Sequence, residues 1–161
     1  MTGLIILALL MAAPAAVILL LASNGALVFL ALCEGLIIDQ TLGNDAIEAF
    51  KAFFPRAGSV QESTLHLILL LLPAALTIVF LRRQMEGAKS LFNIAPAVLT
   101  GATVALLAVP LLPGGIQHQI TQTWLWSGME PFEGVIIGTG ALISLLLIWT
   151  GHKKRHHKKH K

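Results

Sequence analysis

Glu34 interrupts a nearly continuous apolar run that extends from Gly3 to Ile38. A carboxyl group in hydrocarbon is costly, so it ordinarily faces protein, water or a partner, and such a group is suited to handling protons along a transport path. A plainer role is open to it as well. If the helix carrying it ends near Asp39, Glu34 lies about one turn from the membrane boundary and its side chain can reach the headgroups.

His66 and His118 are the next groups with chemistry to offer. Both fall on the expected outer side of the membrane, one at the start of an apolar segment and one in a Gln-rich stretch. Together with Glu34 or Asp39 they could compose a polar cluster, even a metal site, since imidazole and carboxylate are common ligands. Nothing in their spacing requires it, and interfacial histidines are the simpler expectation. No metal or cofactor is expected.

The strongest concentration of unusual residues is the tail His152-Lys-Lys-Arg-His-His-Lys-Lys-His-Lys161. It holds Lys153, Lys154, Arg155, Lys158, Lys159 and Lys161, six of the eleven Lys and Arg residues, so the remainder has five bases against eight acids, a net of −3. Basicity is therefore local. A polybasic segment beside a membrane span is attracted to anionic headgroups by about 1 kcal/mol per Lys or Arg. Accessible positive charge would serve nucleic acid or a ribosome surface equally, and retention of the tail in the cytoplasm alone explains it too. The tail histidines would add charge near pH 6 and collect metal weakly, against the repulsion of the surrounding lysines.

Enzyme signatures are missing from the sequence. There is no phosphate-binding Gly-x-x-x-x-Gly-Lys loop, no nucleophile elbow, no His-Glu-x-x-His and no dinucleotide-binding Gly-x-Gly-x-x-Gly. Cys33 is the only cysteine, which excludes an intrachain disulfide.

What must position these residues follows from composition. The 161-residue chain is 56% hydrophobic and only 12% charged, against roughly a quarter charged in an average soluble domain. Such a chain is short of polar surface to put in water. The expected fold is all-α: a polytopic transmembrane helical bundle of about four spans with one or two short interfacial helices. It occupies residues 1–151, and residues 152–161 form an unstructured basic tail.

The first span is expected near residues 3–22. Met1 to Leu10 lacks the positive n-region of a secretory signal, so this span is read as uncleaved. The apolar run is too long for one perpendicular crossing, and Ser23-Asn24-Gly25 is the natural break. Either a short or re-entrant second helix runs from Ala26 to about Ile38, or one long tilted helix emerges from the bilayer. One net crossing is favoured. Asp45-Ala-Ile-Glu48 then resembles a helix start, with Ile47, Phe50 and Phe54 at helical spacing, which suggests a short amphipathic helix.

Further spans are expected at 65–81, 94–112 and 134–150, with bends at Pro14, Pro73 and Pro96. Between the last two, Ile116, Ile120 and Trp124 fall at i, i+4 and i+8 and suggest a second interfacial helix. Trp124 and Trp126 suit a headgroup belt. Gly134-x-x-x-Gly138 gives the last span a small-residue face for a neighbouring helix or a second copy, and Gly101 with Ala105 does so more weakly.

Arg82, Arg83 and Lys89 lie on the same side as the tail, whereas the loops rich in acids or free of bases lie on the other, so both basic regions should be cytoplasmic. A bacterial plasma membrane is the expected location. Three functional readings follow. The first is a non-enzymatic scaffold or accessory subunit that uses its tail on anionic lipid or a partner. The second is a small oligomeric transporter or channel using Glu34. The third, a lipid-directed enzyme built on His66 and His118, ranks last.

Overall fold

The computed structural model describes residues 2–53, 59–81 and 90–157, and every regular element among them is helical. In chain order the helices are α1 (Thr2–Leu20), α2 (Gly25–Phe53), α3 (Ser59–Phe80), α4 (Ser90–Ala108), α5 (Gly114–Thr121), α6 (Trp124–Met129) and α7 (Glu133–His157). Short 3₁₀ turns at Val109–Leu111 and Glu130–Phe132, each containing a proline, follow α4 and α6. Five segments are long and apolar enough to cross a membrane: Thr2–Leu20, Gly25–Phe53, Glu62–Phe80, Asn93–Leu111 and Trp124–Thr150.

The apolar run at the N-terminal end does break at Ser23-Asn24-Gly25, and the break is a full turn between two long helices. Ala22 adopts a left-handed conformation with φ of 48°. Its N–H bonds the Leu19 carbonyl at 3.2 Å, and the Ser23 N–H reaches back to the Ile18 carbonyl at 3.0 Å. This paired arrangement closes the last turn of α1 in the way glycine usually permits. Asn24 then caps α2, its Oδ1 accepting from the Ala26 N–H at 3.1 Å.

The second helix is far longer than expected. It runs 29 residues without interruption, so the separate amphipathic helix anticipated after Asp45 is the C-terminal part of α2. Ile47 on that part is buried, as its helical spacing suggested. Phe54 and Pro55 lie outside the described residues, as does the loop at 82–89 with Arg82, Arg83 and Lys89.

Packing gives the directions. Leu7 of α1 clusters with Ala105 and Val109 at the end of α4, and the turn after α1 meets Asn93 near the start of α4, so the two helices are antiparallel. Gly101 lies so close to the Met11 carbonyl that a Cβ would overlap it. Val28 and Leu32 of α2 share a cluster with Ala97 and Val104, which sets α2 parallel to α4. Gly35 packs on the Leu70 backbone and Lys51 pairs with Glu62 at 2.7 Å, which sets α3 antiparallel to α2. On α7, Gly140 receives the Phe29 ring of α2.

Small residues thus allow the helices to approach, while large ones face outward. Leu9, Leu20, Ile37, Val79, Phe80, Val135 and Leu142 are all exposed. In water this distribution would be an aggregation hazard; in lipid it is the expected one, because hydrocarbon solvates leucine as well as a protein core does.

Candidate functional site

The end of the bundle away from the Ser23-Asn24-Gly25 turn is closed by α5 and α6. Ile120 and Trp126 are buried there against Leu7, Ala105, Leu106 and Val109. Pro113 precedes α5, and Thr123 caps α6 by accepting from the Trp126 N–H at 3.3 Å. The single interfacial helix anticipated across Ile116, Ile120 and Trp124 is therefore two short helices with a new phase after Thr123. This rotates Trp124 outward, 75% exposed, and turns Trp126 inward, where its Nε1 donates to Glu130 at 2.9 Å.

Asp39 and His66 come together across the α2–α3 contact, with Oδ1 and Nδ1 2.7 Å apart and both side chains largely buried. A carboxylate only accepts, so in a bond to ionised Asp39 the proton is on Nδ1 and Nδ1 donates. Gly43, one turn beyond Asp39, makes room for the ring: a Cβ there would lie 3.0 Å from His66 Cε1. This pair joins two of the candidate residues expected on the outer side. His118 is not part of it; it is exposed on α5, and its backbone carbonyl accepts from Gln122 and Thr121 at that helix's end. Among the described residues no group of three or more His, Cys, Asp or Glu is arranged to hold a metal.

Glu34 is exposed on the side of α2 opposite Gly35 and Leu32, which face the bundle. It has no hydrogen-bond or ion-pair partner among the described residues. A path between the helices of one copy would not be lined by it. At roughly 1.5 Å per residue, nine residues place it about 14 Å along α2 from the turn at Gly25. That distance is nearly half the roughly 30 Å thickness of a hydrocarbon layer.

Two features escaped the sequence. Asn93 is 5% exposed at the start of α4; its Oδ1 accepts from the Gly25 N–H at 2.6 Å and its Nδ2 donates to the Ser23 carbonyl at 2.7 Å. The available signal was an amide three residues before Pro96 at the edge of a span. The second is the choice of glycines: Gly134 and Gly138 have nothing within 4 Å of a Cβ and lie on the outer surface, whereas Gly3, Gly35, Gly101 and Gly140 carry the close approaches within the bundle.

The tail begins as a continuation of α7, which stays helical through His157, rather than as an unstructured segment from His152. Lys158, Lys159 and Lys161 lie outside the described residues, and the side chains of Lys153, Lys154 and Arg155 are not described.

Among the described residues, fold and site together define an all-helical bundle with several membrane-length helices, a clamped N-terminal hairpin and an exposed carboxylate, Glu34, beside exposed apolar side chains. The chain matches no known protein family, no curated protein and no solved structure.

Proposed function

We propose that this chain is an integral membrane protein of five crossings that serves as a non-enzymatic scaffold or accessory subunit, with its C-terminal tail in the cytoplasm. One observation carries the reading. The clearest buried polar contacts hold helices to one another: Asn93 grips the α1–α2 turn, and Asp39 is held by His66. The unsatisfied carboxylate, Glu34, faces outward, where another protein would meet it.

Antiparallel packing supports the crossing number. The Ser23-Asn24-Gly25 turn is at the same end of the bundle as the start of α4 and the end of α3, which flank Arg82, Arg83 and Lys89. By the positive-inside rule that end is cytoplasmic. The α1–α2 hairpin then adds a crossing to the four first expected and puts Thr2 outside, with His118 and the Trp124 region. A transporter built on Glu34 would need its path between copies, since the residue lies on the outer face of α2.

Cysteine accessibility tests this in right-side-out and inverted vesicles. In a Cys33→Ser background, Asn24→Cys should react with an impermeant maleimide only from the cytoplasmic face and Gln117→Cys only from the other. Both positions reacting from the same face would sink the five-crossing arrangement.

A further inference from the structure

Glu34 does not stand alone on its face. At 3.6 residues per turn, Glu34, Thr41, Asp45 and Glu48 fall within an arc of roughly 60° along α2. All four are exposed, and the Thr41 hydroxyl is turned back to the Ile37 carbonyl at 2.7 Å. Roughly 16 Å of helix separates Glu34 from Asp45, so the stripe begins inside the hydrocarbon and ends at or beyond its outer edge. Ile37, between them, is 61% exposed. A lipid-facing surface would have no reason to carry a carboxylate at this depth, where an unpaired charge is costly.

From this geometry we infer that the stripe is a docking face for a transmembrane helix of a different protein, one that carries Lys or Arg within its apolar span and further basic residues toward its outer end. The inference rests on the accessory-subunit reading and names its partner. Charge complementarity selects the occupant. A second copy of this chain carries no Lys or Arg within an apolar span to meet Glu34: α1, α3 and α4 contain none, α2 contains only Lys51, which pairs with Glu62, those of α7 lie beyond Gly151, and Arg56, Arg82, Arg83 and Lys89 fall in the segments between helices. The chain's own His66 is engaged by Asp39. An incoming ammonium or guanidinium would neutralise Glu34 away from water, and Thr41, two turns further along the same face, is a small side chain of the kind over which a helix can lie.

The test uses the full chain, labelled at its C-terminus, in liposomes with acceptor-labelled leucine-rich transmembrane peptides that carry either Lys or Leu at mid-span. Energy transfer should give an association constant about tenfold greater for the Lys peptide. That preference should vanish in Glu34→Gln and persist in Glu34→Asp, with the thermal unfolding of all three proteins unchanged. Equal association of both peptides, or a Lys preference that survives Glu34→Gln, overturns the proposal. So does self-association of the full chain that dissolves in Glu34→Gln, because the occupant would then be a second copy. Labelling Asn24→Cys in right-side-out and inverted vesicles from expressing cells separates the two failures: cytoplasmic labelling without a Lys preference in the liposomes removes only this inference, while labelling from the outer face removes the five-crossing reading beneath it.

Discussion

Asn93 holds Gly25 through a 2.6 Å bond from the glycine N–H to its side-chain Oδ1, and a Cβ on Gly25 would stand only 2.8 Å from that oxygen. The same amide grips the Ser23 carbonyl at 2.7 Å. One side chain therefore satisfies both the last carbonyl region of α1 and the first donor of α2, two groups that water cannot reach. Asn93→Ala leaves both buried and unpaired and should cost roughly 2–4 kcal/mol. Asn93→Asp should cost a similar amount, because it keeps the acceptor but sets an oxygen against the Ser23 carbonyl. Unfolding in mixed detergent micelles reads both; an Asp variant as stable as the wild type would show that the Ser23 bond contributes nothing.

The turn that Asn93 grips also contains strain. Ala22 is the only described non-glycine residue at positive φ, a conformation that costs an L-residue roughly 1–2 kcal/mol. Ala22→Gly should relieve it and raise stability by about 0.5–1 kcal/mol, after the added freedom of the unfolded chain is set against the gain. A lower midpoint in the same detergent titration would contradict the assignment of strain.

Much of this hairpin was legible as a break and little of it as a clamp. Ser23-Asn24-Gly25 stood out because polar and small residues interrupt a hydrophobic run, which is a local signal. Where the following helix ended was not local: Asp39, Asp45 and Glu48 look like a departure from the bilayer, yet α2 continues because its inner face, Gly35, Asp39, Gly43 and Ile47, packs on α3 throughout. Charge on one face does not end a helix when another face is covered. Asn93 was unreadable for the same reason, since its partners are 68 and 70 residues away. Glu34 was legible as an oddity, and its distance from the turn along a continuous α2 became readable only with the hairpin closed.

Glycines divide into two kinds with opposite expectations. At Gly101 a Cβ would overlap the Met11 carbonyl and at Gly35 the Leu70 carbonyl, both of them backbone atoms that cannot swing away. Alanine at either should force the helices apart and cost about 1–3 kcal/mol. Alanine at Gly138, where nothing lies within 4 Å, should leave the isolated chain unchanged or slightly more stable, since alanine is the better helix former. Loss of a dimer in Gly138→Ala, seen by light scattering, would assign that face to self-association.

The two tryptophans of α6 should behave differently. Trp126 is 4% exposed, packs on Leu7 and Ile120 and donates to Glu130. Trp126→Ala should therefore cost roughly 3–5 kcal/mol. Trp124 is 75% exposed, and Trp124→Ala should stay within about 0.5 kcal/mol in detergent. Fluorescence separates their environments: in the Trp124→Ala protein the emission should shift to shorter wavelength, because a more exposed indole has been removed. Equal losses of stability would mean that both rings pack on the bundle.

Asp39 and His66 allow the contribution of a polar contact between α2 and α3 to be measured directly. Each single substitution, Asp39→Ala or His66→Ala, leaves a part-buried partner without its hydrogen bond, and each should destabilise by about 1–3 kcal/mol. Most of that loss is the cost of the orphaned group rather than the strength of the bond. The double variant removes both groups, so its loss should fall short of the sum by about 0.6–1.7 kcal/mol, the range for interhelical hydrogen bonds in membranes. Replacing both residues with leucine should recover stability further, because an apolar pair needs no desolvation of charge. Gly43→Ala provides an independent handle: its Cβ would press on the His66 ring at 3.0 Å, so it should destabilise the wild type and have a smaller effect once His66 is alanine. A strictly additive cycle would show that the 2.7 Å contact holds the two helices no better than the apolar packing around it.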